Sequence, residues 1–212
     1  MTGDALTPAE TRAMLLHVAR RMEDCEDELN EADRATGDGD HGLAVARGFG
    51  AVRRDLERRE VDAVDGLLRT VGRTLLATMG GASGVLFATL FLEGARDLPA
   101  GDGFGSPALG RFLADGRAAV ERRGGASPGR KTMLDALAPA ADAAAGLRAA
   151  PLTTSLAAAA EAAREGAERT RTMVAQTGKA KTLGERSLGF PDPGALSIAL
   201  LLGSMDGYVS GC

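Results

Sequence analysis

The chain has 212 residues, 44% hydrophobic and 25% charged, with a formal net charge of -4 and a sequence pI near 5.3. That length and balance suit a single domain with a full core. With no basic run beyond the pairs Arg53/Arg54 and Arg58/Arg59, and with 3% aromatic residues, the chain offers neither an electrostatic footprint nor stacking platforms for nucleic acid. Cys25 and Cys212 form no disulfide framework and no secretory pattern precedes the first polar residues, so a reduced, cytoplasmic protein is expected. The alanine-rich run over 136–163 is broken by Asp142, Arg148, Pro151 and Glu161 and is not a membrane span.

Alanine, leucine, arginine and glutamate dominate, whereas isoleucine occurs once, at Ile198, which predicts an all-α chain. Thr7, Pro8 and Glu10 give a capping box with proline at the first helical position, and Leu15, Val18, Met22 and Leu29 carry that helix to about Leu29. Val45, Phe49, Val52 and Leu56 mark a second helix. Val64, Leu68, Val71, Leu75 and Met79 mark a third, stopped by Gly80 and Gly81. A fourth is expected from Ser83, and a fifth from Ser106 and Pro107 to Gly124 and Gly125. A sixth follows Thr132, and a seventh covers about 155–174. The eighth begins near Pro193 and is apolar on every side, which predicts a central position. The expected architecture is a bundle of about eight antiparallel helices spanning 1–212 as one domain.

Four connections are unusual: TGDGDHG, GGASG, GGASPGRKT and LGFPDPG, preceding the second, fourth, sixth and eighth helices. In an up-and-down arrangement alternate connections share one end, so these four gather at one mouth. There Asp33, Asp38 and Asp40 supply carboxylates at spacings that let them converge on hard divalent cations such as magnesium. GGASG opening a helix aims backbone N–H groups and the Ser83 hydroxyl at an anion, and PDPG before the last helix does the same. All three lysines fall in two of these connections, Lys131 in GGASPGRKT and Lys179 and Lys181 in the stretch that leads into LGFPDPG, and lysine and arginine differ at a phosphate. Two near matches fail. GGASPGRKT has Arg130 where a P-loop needs lysine and lacks a preceding strand, and the twelfth position of a calcium loop begun at Asp38 would be Phe49.

GDGDHG, GGASG, PGRKTMLDAL and GKAKTLGERSLGFPDPGA, in this order over nearly the whole chain, resemble the L subunit of dihydroxyacetone kinase, the nucleotide-binding partner in a multi-component kinase. The resemblance implies a closed barrel of eight antiparallel helices with ATP or ADP at one mouth. It implies that Asp33, Asp38 and Asp40 hold two Mg2+ ions. It further implies nucleotide contacts from His41, Gly42, Leu43, Ala44, Ala82, Ser83, Gly124, Met133, Lys179, Asp192, Pro193 and Gly194. The implied partners are a K-type subunit carrying the short ketose and, in some relatives, a phosphotransferase-system protein that rephosphorylates bound ADP. The sequence departs from the family pattern at Arg130, at Lys179 and Thr182 within GKAKTLGERS, and at Phe190 where relatives have histidine. Those departures bear on partner and substrate. A kinase subunit for another ketose such as a tetrulose, and a non-enzymatic nucleotide-sensing module that docks on a regulator, remain as alternatives.

Overall fold

The computed structural model describes residues 5–59, 63–98 and 103–211. Among them are nine α-helices: α1 (Pro8–Asp24), α2 (Glu26–Arg34), α3 (His41–Arg58), α4 (Val64–Thr78), α5 (Gly81–Gly94), α6 (Ser106–Gly124), α7 (Leu134–Gly146), α8 (Leu152–Arg169) and α9 (Pro193–Ser210). A two-residue antiparallel pair, β1 (Ala5–Leu6) with β2 (Phe104–Gly105), is a small addition to the all-α expectation.

From α3 onward each helix packs on the next in sequence, and α9 returns to α1, which packs on α3, so eight staves close a barrel. The eighth stave is double. The helix expected to run unbroken to Leu29 breaks at Cys25, whose φ of -88° and ψ of 11° are not helical, and α2 resumes beyond it to pack against α3 and α9. Thr7 Oγ1 accepts from the Glu10 amide and Glu10 reaches back to the Thr7 amide, completing the capping box at the start of α1.

Five of the six phenylalanines fill the interior: Phe49 meets Phe87 edge-on at 6.4 Å, and Phe112 lies 5.5 Å from Phe91 and 6.5 Å from Phe104. The alanine-rich run becomes a close helix pair. Ala136, Ala140, Ala141 and Ala144 of α7 and Ala159, Ala163 and Ala167 of α8 are all buried, and Gly166 lies so near the Asp135 carbonyl that a Cβ there would collide with it. Pro139 removes the amide that would have bonded that carbonyl within α7.

Two expectations are corrected. The last helix is not central: α9 buries Ala195, Ile198, Leu201, Leu202, Met205 and Val209, while Gly203 is exposed and Leu196 and Leu200 are half-buried. In a ring of staves no helix is enclosed on all sides. The seventh helix stops at Arg169 instead of running to 174, because Thr170–Thr172 tightens into a 3-10 turn whose groups are taken by distant partners described below. No helix among the described residues is long and apolar enough to cross a membrane.

Candidate functional site

The loop between α2 and α3 is organised by a carboxylate inside it. Asp33, 8% exposed, uses Oδ2 to accept from the amides of Gly39 at 2.9 Å, Asp40 at 3.1 Å and His41 at 3.3 Å. Gly39 adopts a φ of +78°, the left-handed turn that swings those amides inward, and a side chain at Gly37 would collide with Asp33 Oδ1. Three N–H groups at a helix start offset the charge of one carboxylate. Asp38 and Asp40 are exposed, and one oxygen from each of the three aspartates lies within 4.8 Å of the others. Clustered carboxylate oxygens of this kind fit a hard divalent cation.

His41, 7% exposed, ties three loops together. Ser197 Oγ donates to the Pro193 carbonyl at 3.0 Å, so it accepts from His41 Nε2 at 2.8 Å. That assigns the proton to Nε2 and leaves Nδ1 to accept from Ser83 Oγ at 3.4 Å. Burial pushes the imidazole pKa down, with Asp33 and Asp40 acting in opposition. A neutral His41 thereby bridges the starts of α3, α5 and α9.

At the start of α5, Gly80 has a φ of +73° and supplies no side-chain cap, so the first-turn amides of Gly81, Ala82 and Ser83 lack helical acceptors. The opposite is found at α9. Asp192 caps its own helix, its Oδ2 accepting from the Ala195 amide at 2.8 Å, so the donors that PDPG was expected to offer an anion are partly taken by the protein. In GGASPGRKT, buried Asp135 draws the turn together by accepting from the amides of Gly129 and Thr132. Lys131 is buried too, and its ammonium donates to four backbone carbonyls. With three N–H bonds and four acceptors, its donors are committed to the protein's own backbone, although the residue is among those lining the cavity described below.

Asp192 retains some exposure as a residue, yet its carboxyl is enclosed, and burial raises its pKa to about 7, aided by Asp135 and opposed by the Ala195 amide and Lys131. The sign follows from linkage. The folded state holds a proton that an unfolded aspartate gives up near 3.8, so this group's contribution to stability falls as pH rises from about 4 to about 7. Asp192→Asn keeps an oxygen for the Ala195 amide but cannot ionise. Melting temperature measured against pH without nucleotide or metal is expected to decline less across this window in the variant than in the wild type. Equal declines would locate the effect elsewhere.

These loops surround one cavity of about 680 Å3. Its lining includes Asp33, Asp38, Asp40, His41, Ala44, Ala82, Ser83, Gly124, Met133, Asp192, Pro193 and Gly194, so the mouth gathers all four glycine-rich connections. Two implied contacts lie elsewhere. Gly42 faces α2, where a Cβ would collide with the Glu26 carbonyl, and Leu43 is 52% exposed with its amide donating to Asn30 Oδ1. Lys179 opens a 3-10 segment, and its side chain lies outside the described residues. Sequence reasoning missed Arg47, Arg123, Thr177 and Gly178 in the lining. Arg47 closes the end of α4 by donating to the Thr78 and Met79 carbonyls, and no local spacing announces such a contact. Arg123 had a signal: it lies in the last turn of α6, directly before Gly124 and Gly125.

An all-α barrel with a carboxylate-lined cavity at one mouth is the class that fold and site define. The chain belongs to the DAK2 domain family, whose model matches residues 35–206. It is 38% identical to the ADP-binding subunit DhaL of the PEP-dependent dihydroxyacetone kinase of Escherichia coli (strain K12), over 82% of this chain and 84% of that one. It is also 38% identical to the L-erythrulose 1-kinase of Mycolicibacterium smegmatis over 88% of this chain, but it spans only 33% of that enzyme. The crystal structure of the dihydroxyacetone kinase from C. freundii, in complex with AMP-PNP and Mg2+, matches with a TM-score of 0.73 and 31% identity, covering 95% of this chain and 34% of that one.

Proposed function

We propose that this chain is the nucleotide- and magnesium-holding subunit of a dihydroxyacetone-type kinase, acting on a short ketose carried by a separate K-type subunit. The observation that carries the reading is the cavity itself, where three carboxylates and the uncapped start of α5 line one wall system. Asp33, Asp38 and Asp40 would hold magnesium, which when bound neutralises phosphate charge and orients the terminal phosphoryl group. The amides of Gly81, Ala82 and Ser83 would bind phosphate oxygens, as helix starts do. Leu86, Phe87, Val120 and Met133 give the cavity an apolar side suited to a nucleoside base. A relative of similar length that binds ADP, and a more distant one solved with AMP-PNP and Mg2+, support this assignment. The domain is proposed to include residues 1–34, because Asp33 lies before the matched segment and the ring needs α1 to close.

The acceptor is proposed to arrive at the mouth on the partner, with a phosphotransferase-system protein as one source of the phosphoryl group. The test combines the purified chain, magnesium ATP and dihydroxyacetone, with and without a K-type subunit. Ketose phosphate is expected only when both proteins are present. Turnover by the single chain would place the acceptor site here, and no transfer in the pair would favour the nucleotide-sensing alternative. The equal identity to the L-erythrulose 1-kinase favours a second acceptor, so erythrulose belongs in the same assay.

A further inference from the structure

The segment between α8 and α9 is held at both ends by one side chain. Lys131 Nζ donates to the carbonyls of Thr170 at 2.8 Å and Met173 at 3.2 Å on the way in, and of Ser187 at 2.7 Å and Phe190 at 2.6 Å on the way out. The residue is 3% exposed and has a φ of +59°, the one positive φ outside glycine among the described residues. A non-glycine backbone persists in that region where the surrounding structure holds it there. Burial lowers the lysine pKa while nearby Asp192 favours its charged form.

Further bonds draw the two ends of the segment together. The Gly189 amide donates to the Arg171 carbonyl at 2.8 Å, Arg171 Nη1 donates to the Gly189 carbonyl at 3.1 Å, and the Ala175 amide donates to Ser187 Oγ at 3.0 Å. Between the tied ends the chain projects as a strap, and Thr177, Gly178 and Ala180 in it line the cavity.

We propose that Lys131 is a positioning residue that pins this strap against the cavity and thereby sets how long a bound nucleotide stays. The inference rests on the nucleotide reading above; Lys131 is among the residues lining the cavity, but its ammonium is committed to the four carbonyls of the strap's base. Without the ammonium, four carbonyls at the strap's base lose a shared donor, whereas the helices keep their apolar packing. A loosened strap lowers the barrier to leaving more than it hinders entry, so the effect falls on dissociation.

The test compares the wild type with Lys131→Met, which keeps the apolar stem, and Ser187→Ala, which removes the acceptor of the Ala175 amide. Stopped-flow displacement of a fluorescent ADP analogue in magnesium reads both rates, and amide hydrogen exchange reads the strap separately from the helices. Lys131→Met is expected to dissociate about tenfold faster or more, with association within about threefold of wild type. Residues 174–189 should exchange faster while α3 and α5 stay protected, and Ser187→Ala should shift the same way by less. Unchanged dissociation in Lys131→Met alongside a loosened strap overturns the proposal and leaves nucleotide binding intact. If Lys131→Met does not fold, unchanged dissociation in Ser187→Ala overturns it equally. A wild type that does not bind the analogue removes the nucleotide reading, and this inference with it.

Discussion

Replacing Asp38 or Asp40 with asparagine is expected to weaken magnesium-dependent ADP binding by about a hundredfold or more, since even changes behind the ligands of a metal site cost about 10–100-fold. Asparagine keeps the shape and one oxygen but removes a charge from a cluster whose members lie within 4.8 Å of one another. Both residues are exposed, so the ligand-free fold should change by no more than about 0.5 kcal/mol. The wild type should gain about 2.7 kcal/mol at a ligand concentration 100 times Kd, seen as a raised melting temperature, and the variants little or none. Calorimetry and melting with and without magnesium ADP supply the check. Asp33→Asn is expected to behave differently, because Asp33 also holds three amides of its loop and its loss costs stability without any ligand. If Asp38→Asn and Asp40→Asn both bind magnesium ADP as tightly as wild type, TGDGDHG is reduced to a sharp turn.

Gly42→Ala is expected to damage the fold more than the site. A Cβ there would meet the Glu26 carbonyl and the Asn30 amide, both backbone atoms that cannot swing aside, so α2 and α3 must separate. Overpacking of this kind costs about 1–3 kcal/mol, and a collision with backbone belongs at the upper end. For a chain of this size that is a fall of roughly 6–12 °C in melting temperature. Affinity for magnesium ADP, measured well below the transition, should change far less. The reverse pattern, an unaltered melting temperature with lost binding, would return Gly42 to the nucleotide contacts that family resemblance implies.

Local chemistry explains what was legible in the sequence. A composition rich in helix formers, the capping box at Thr7, Pro8 and Glu10, and glycines at the helix ends act within a few residues, so they declare helices and most of their boundaries. The alternation of long helices with glycine-rich loops also declared that TGDGDHG, GGASG, GGASPGRKT and PDPG share one mouth, because direction reverses at every turn. The break at Cys25 was not legible, since the apolar spacing through Leu29 reads the same for one helix as for two.

By itself, then, the sequence determined an all-α chain, its helix count to within one break, and the loops that meet. Only the tertiary structure decided what each polar group in those loops is committed to. Lys131 serves four carbonyls 39 to 59 residues away, His41 hydrogen-bonds Ser197 156 residues away, and Asp192 caps its own helix. A lysine, histidine or aspartate in a glycine-rich loop has the same covalent structure whether it faces a phosphate or a carbonyl. Which partner it finds depends on atoms that converge only when the barrel closes, and burial then makes an unsatisfied group too costly to leave waiting for a ligand.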